Sequence, residues 1–171
     1  MSFLSRIFAP RRDDRAPVRV LWHRIVELAR DRRWYARSGV ADTVPGRFDA
    51  VTLVLALVVL RMEREAALMP AAALLTELFV EDMDGQLRQS GVGDLVVGKH
   101  IGKLMGVLGG RLGALREALP GGLDALTPVI ARNLSLVEGA APDEAARLAL
   151  ALAASLDMSS GDDLLAGRIA L

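Results

Sequence analysis

The sequence predicts an all-α protein, a single-domain bundle of about six to seven helices with no β-sheet. Three observations predict it. Apolar residues recur at three- and four-residue spacing in every strongly periodic segment. No run shows the alternating, β-branched pattern of a strand. Prolines stand near the starts of the periodic segments. The chain has 171 residues, 52% of them apolar, which suits one domain with a sizeable core. Residues 1–16 read as a flexible N-terminal tail, because the apolar cluster Phe3, Leu4, Ile7, Phe8 runs into PRRDDRAP. Residues 17–171 read as the helical domain.

Pro17 opens the first expected helix, in which Val18, Leu21, Trp22, Ile25, Val26 and Ala29 form one stripe. It is expected to run to Arg37 and stop at Ser38-Gly39. GVADTVPG (39–46) is turn chemistry. A second helix from Arg47 is apolar on every side between Val51 and Leu60 except at Thr52, which places it at the centre. A third starts at Pro70 and turns Leu74, Leu75, Leu78, Phe79, Met83 and Leu87 inward. The fourth spans Leu95–Leu119 and carries Gly98, Gly102, Gly106 and Gly110 at every fourth position, with Gly109 and Gly113 beside them. Each helical glycine costs about 1 kcal/mol against alanine. The favoured reason for such a seam is close approach of a neighbouring backbone; the alternative is a groove for a partner helix. Pro128–Val137, Pro142–Leu156 and a short segment at Asp162–Leu165 complete the series.

The chain has no cysteine, so it lacks disulfides, thiolate metal sites and a thiol nucleophile. Its two histidines, His23 and His100, stand far apart without ligand spacing. GVGDLVVGK contains G-x-x-x-x-G-K from Gly93 to Lys99, but His100 replaces the hydroxyl that would meet Mg²⁺. A helix, not a strand, precedes the loop, so ATP and GTP are not expected ligands. Asp82-x-Asp84 opens no calcium loop, because Gln86, a misplaced glycine and a missing closing glutamate break the pattern. Nothing here predicts the burial that would tune such carboxylates for acid–base work. The expectation is a protein without cofactor or enzymatic activity, and nothing points to DNA.

The zero net charge hides an asymmetry. Residues 1–37 carry ten arginines against four acids, and the remainder is acidic. Such a segment suits an anionic partner such as a membrane surface, RNA or an acidic protein; a solvated arginine-rich helix face is the alternative. The longest apolar run, Ala50–Leu60, is too short to span a bilayer, and no secretory signal is evident. The expected location is the cytoplasm, with peripheral attachment to the inner face of the cytoplasmic membrane as an option.

Two segments, LWHRIVELAR…WYARSGVADTVPGRFDAV (21–51) and LFVEDMDGQLRQSGVGDLVVGKHIGKLMG (78–106), resemble the ubiquinol–cytochrome c chaperone family. The specific pieces are GVADTVPGRFD (39–49) and EDMDGQLRQSGVGDLVVGK (81–99), in order and separated by an apolar helix. The resemblance implies a helical, non-catalytic assembly factor for respiratory complex III that holds a membrane-protein client, cytochrome b. It also implies a small partner protein and contact with the ribosome. It carries Asp42, Arg47, Phe48 and Asp49 from the first motif into a partner-binding set. From the second it carries Glu81, Asp82, Asp84, Arg88, Gly91, Gly93, Asp94, Gly98 and Lys99. Antiparallel packing of the second and third helices would pair Arg47 with Asp82 or Asp84, and Asp49 with Arg88. A client surface also suits methionine, which adapts to varied partners, and Met62, Met69, Met83 and Met105 are candidates. The competing reading is a peripheral helical scaffold held to anionic lipid by the arginine-rich first helix.

Overall fold

The computed structural model describes residues 15–89 and 94–171, with their side chains except at 17, 87–89 and 94–101. The expected tail lies almost wholly outside the described residues. Among the described residues eight α-helical segments follow one another: α1 (Ala16–Ala29), α2 (Arg32–Ala36), α3 (Val44–Met62), α4 (Met69–Gln89), α5 (Asp94–Ala118), α6 (Gly122–Asn133), α7 (Asp143–Met158) and α8 (Gly161–Leu165). Short 3₁₀ turns at Ala66–Leu68 and Leu119–Gly121 lead into α4 and α6. Among the described residues there is no strand, and one isolated antiparallel bridge joins Val40 to Leu136. The all-α expectation holds.

α3 is the axis of the fold. Every residue from Thr52 to Leu60 is buried, as a helix apolar on all sides requires. It packs against α1, α5 and α7; α4 lies on α1 and α5, and α6 on α5 and α7. Thr43 caps α3 by accepting from the Gly46 amide at 3.3 Å, and Pro45 occupies its first turn. Gly46 is forced: a Cβ there would drive into the carbonyl of Ala41.

The first helix is shorter than expected. It ends at Ala29, and Asp31 turns extended (ψ 133°) to cap α2 through the Arg33 amide at 2.9 Å. The apolar stripe continues across this break because Trp34 is fully buried and donates to the Leu28 carbonyl at 3.0 Å. Period alone therefore reads the two helices as one. Pro128 does not open a helix either. It lies within α6, which begins at Gly122, where φ is positive at 66°.

The glycine seam of α5 differs most from expectation. Among the described residues, no atom of another element comes within 4 Å of a Cβ built at Gly102, Gly106, Gly109, Gly110 or Gly113. The core face of α5 is instead formed by Leu108, Arg111 and Leu115. The glycines look outward, so close backbone approach does not explain them.

Candidate functional site: an apolar groove with a cationic end

The charged residues of the first motif divide between two tasks. Asp49 points inward from the first turns of α3. One carboxylate oxygen accepts from the Arg111 guanidinium, and the other accepts from the amide and hydroxyl of Ser135 at 2.9 and 2.6 Å. Arg111 also donates to the Asp49 carbonyl at 3.0 Å and to the Thr52 hydroxyl. The Thr52 hydroxyl in turn donates to the Phe48 carbonyl at 2.8 Å. Both ion-pair members are largely buried, with side chains 7% exposed for Arg111 and 14% for Asp49. The expected Asp49–Arg88 pair involves a side chain outside the described ones; the Asp49 partners described are Arg111 and Ser135. Two main-chain bonds beside this pair, Ala41 N to Ser135 O and Val137 N to Gly39 O, clip the motif loop to the segment before α7.

Arg47 points outward. It pairs with Asp42 at 2.6 Å rather than with Asp82 or Asp84. That pair is fully exposed; the Arg47 hydrogen bond is the main cause of a lowered Asp42 carboxyl pKa. Glu81 receives Arg15 at 2.7 Å, and Glu77 receives the same guanidinium at 3.1 Å.

Phe48 links the buried network to the surface. The Arg111 guanidinium lies 5.9 Å from its ring centroid, a cation–π distance. Phe79 stands 6.5 Å from Phe48 and meets Trp22 edge-on at 6.0 Å. Trp22 and Phe48 are part of the wall of a groove of about 630 Å³. Trp22 and Val26 come from α1, Phe48 and Val51 from α3, Met83 from α4, and Leu104 and Val107 from α5. Arg30, Arg47, Asp82, Gln86 and Lys103 also line it. Next to it lies a polar depression of about 510 Å³ that shares Arg30, Tyr35 and Arg47 and adds Arg32 and Asp42.

The structure thus brings Arg47, Phe48 and Asp82 of the expected set to one groove. Gln86 donates to Asp82 there at 3.2 Å. Asp84 is half-buried on α4. Gly91 and Gly93 lie outside the described residues, as do the side chains of Arg88, Asp94 and Lys99 and the surroundings of Gly98. Of the methionines, Met83 lines the groove, whereas Met62 is fully buried in the core, so it offers no client surface. Sequence reasoning missed Arg111; it placed Trp22 on the core stripe, and Trp22 is indeed buried while also lining the groove. The signal for Arg111 is an arginine between Leu108 and Leu115 on the apolar face of α5. The basic bias of the N-terminal segment is also partly used internally. Arg24 donates twice to the Ile169 carbonyl, at 3.0 and 2.7 Å, and Arg33 donates to the main-chain oxygen of Leu171 at 2.8 Å.

These residues build an apolar groove edged by charge on a helical frame. Among the described residues no three His, Asp or Glu side chains converge as a metal site, and no helix is long and apolar enough to cross a membrane. The family model described as ubiquinol-cytochrome C chaperone matches residues 36–171, and the chain belongs to that family. The crystal structure of the Cbp3 homolog from Brucella abortus is similar to it, with a TM-score of 0.77 and 33% sequence identity. The match covers 90% of this chain and 87% of that one. No curated protein matches the chain.

Proposed function

We propose that the chain is an assembly chaperone without catalytic activity that receives an apolar segment of a membrane-protein client in the groove between α1, α3, α4 and α5. Within its family the client that best fits is cytochrome b of ubiquinol–cytochrome c reductase. The observation that carries the reading is the convergence of both family motifs on one apolar groove. Arg47 and Phe48 come from the first motif, and Asp82 and Met83 from the second. A groove of about 630 Å³ lies within the usual size range of binding clefts, and its aromatic and methionine walls suit varied apolar side chains. The exposed glycine face of α5 borders the same helix and leaves room for a bulkier partner there.

Photo-crosslinking from the cytoplasmic side tests this. A photoreactive residue at Val51 or Val107 is expected to trap cytochrome b from membranes that are synthesising it. The same residue at Ala151, on the exposed face of α7, is expected to trap none. Equal labelling from both places, or a groove adduct that never contains cytochrome b, overturns the assignment.

A further inference from the structure

The groove is not chemically uniform along its length. Its apolar wall holds Trp22, Val26, Phe48 and Val51, and through Arg30, Tyr35 and Arg47 it adjoins the polar depression holding Arg30, Arg32 and Arg47 against the single carboxylate of Asp42. Arg47 is already paired with Asp42. Among the described residues neither Arg30 nor Arg32 has a carboxylate partner. Both are exposed, so the depression keeps a net positive charge next to an apolar wall. Elsewhere the groove lining adds Lys103 and Asp82, and the Asp82 carboxylate accepts from Gln86 at 3.2 Å.

The geometry points to an occupant of matching polarity: an apolar helical segment of a protein whose one end carries acidic side chains or a free carboxylate, seated with that end on Arg30 and Arg32. This inference rests on the groove being the client site and adds direction and charge selectivity to it. An apolar segment has no intrinsic register in an apolar groove. A carboxylate held by paired guanidinium groups fixes register and orientation, because arginine receives carboxylates bidentately. Neutral-ended apolar segments gain no such charge-assisted pairing and are discriminated against by that difference.

The test uses the full chain and a hydrocarbon-stapled alanine–leucine helix of about 15 residues, made with paired glutamates at one end or with glutamines there. Binding is read from the fluorescence of Trp22 in the groove wall; Trp34 is fully buried elsewhere. The glutamate helix is expected to bind about tenfold more tightly than its glutamine counterpart, with the preference falling as salt rises. The preference should vanish in the Arg30→Gln/Arg32→Gln variant. It should persist in Arg147→Gln, which removes an exposed arginine of α7 paired with Glu144. Equal binding of both helices by the unaltered protein overturns the charge selectivity while leaving the groove as client site. Failure of both helices to perturb Trp22 overturns the groove itself, and with it the proposed function. A response only to vesicles containing phosphatidylglycerol makes the occupant a lipid and overturns the inference.

Discussion

Both carboxylate oxygens of Asp49 are used inside the molecule, on Arg111 and Ser135. Replacing a member of a buried ion pair strands the other charge, which costs far more than the pair's net contribution. Asp49→Ala is therefore expected to lower stability by about 3–5 kcal/mol. Asp49→Leu combined with Arg111→Met should recover most of that, as read by urea midpoints; a loss below about 1 kcal/mol for Asp49→Ala would show that Arg111 finds other partners. Gly46→Ala should cost about 1–3 kcal/mol in the same assay, because the new methyl meets the Ala41 carbonyl and one of them must move. Asp31 has a pH signature. Hydrogen bonding to Arg33 is the largest cause holding its carboxyl down, to about 2 from an ordinary value of 3.8, with partial burial opposing. Its folded value lies below the unfolded one, so its stabilising contribution is complete above roughly pH 5 and is lost as pH falls toward about 2. Asp31→Asn keeps a capping oxygen but no charge. The stability gap between the native protein and this variant should shrink across that acidic window, and a gap independent of pH would refute the role.

At the scale of elements, the outward glycines of α5 make a prediction opposite to that of a packed seam. A packed seam makes alanine clash, whereas an open one leaves only the helix-propensity gain. Gly106→Ala should therefore stabilise the protein by about 0.5–1 kcal/mol, measured as a rise in melting temperature, with Gly102→Ala behaving alike. Destabilisation by either change would show that a neighbour does approach this face. The same glycines mark the limit of what spacing reveals. A four-residue repeat says that side chains share a face of the helix, and it is silent on what stands opposite. The apolar α3 was legible for the converse reason, since a helix without a polar face has only the interior to occupy. The Ala29/Arg32 break was not legible, because Trp34 keeps the apolar stripe running through a cap made by one aspartate. Phe48, Arg47 and Asp82 could be gathered from their motifs. Arg111 could not, because its partner Asp49 lies 62 residues away and chain order alone does not bring them together.

At the scale of the whole molecule, the groove exists only if residues 22 to 107 are folded around α3 together. Its walls come from five helices, and its aromatic floor continues through Phe79 into the core. Two tryptophans report on different parts of this arrangement. Trp22 stands in the groove wall, whereas Trp34 is fully buried and tied to the Leu28 carbonyl. If the groove walls and the core form one cooperative unit, a single transition should serve both reporters. Urea unfolding of Trp34→Phe, which leaves Trp22 as the probe, should then coincide with unfolding of the same variant followed by helical circular dichroism. Trp22→Phe should give the same coincidence from the core side, although the two variants will differ in absolute stability. The comparison within each variant removes that difference. An earlier transition seen only by Trp22 would mean that the groove opens while α3 remains packed. Such local opening is how proteins of low regional stability admit large partners, so that outcome would change the picture from a preformed client groove to one that the client has to enter by parting its walls.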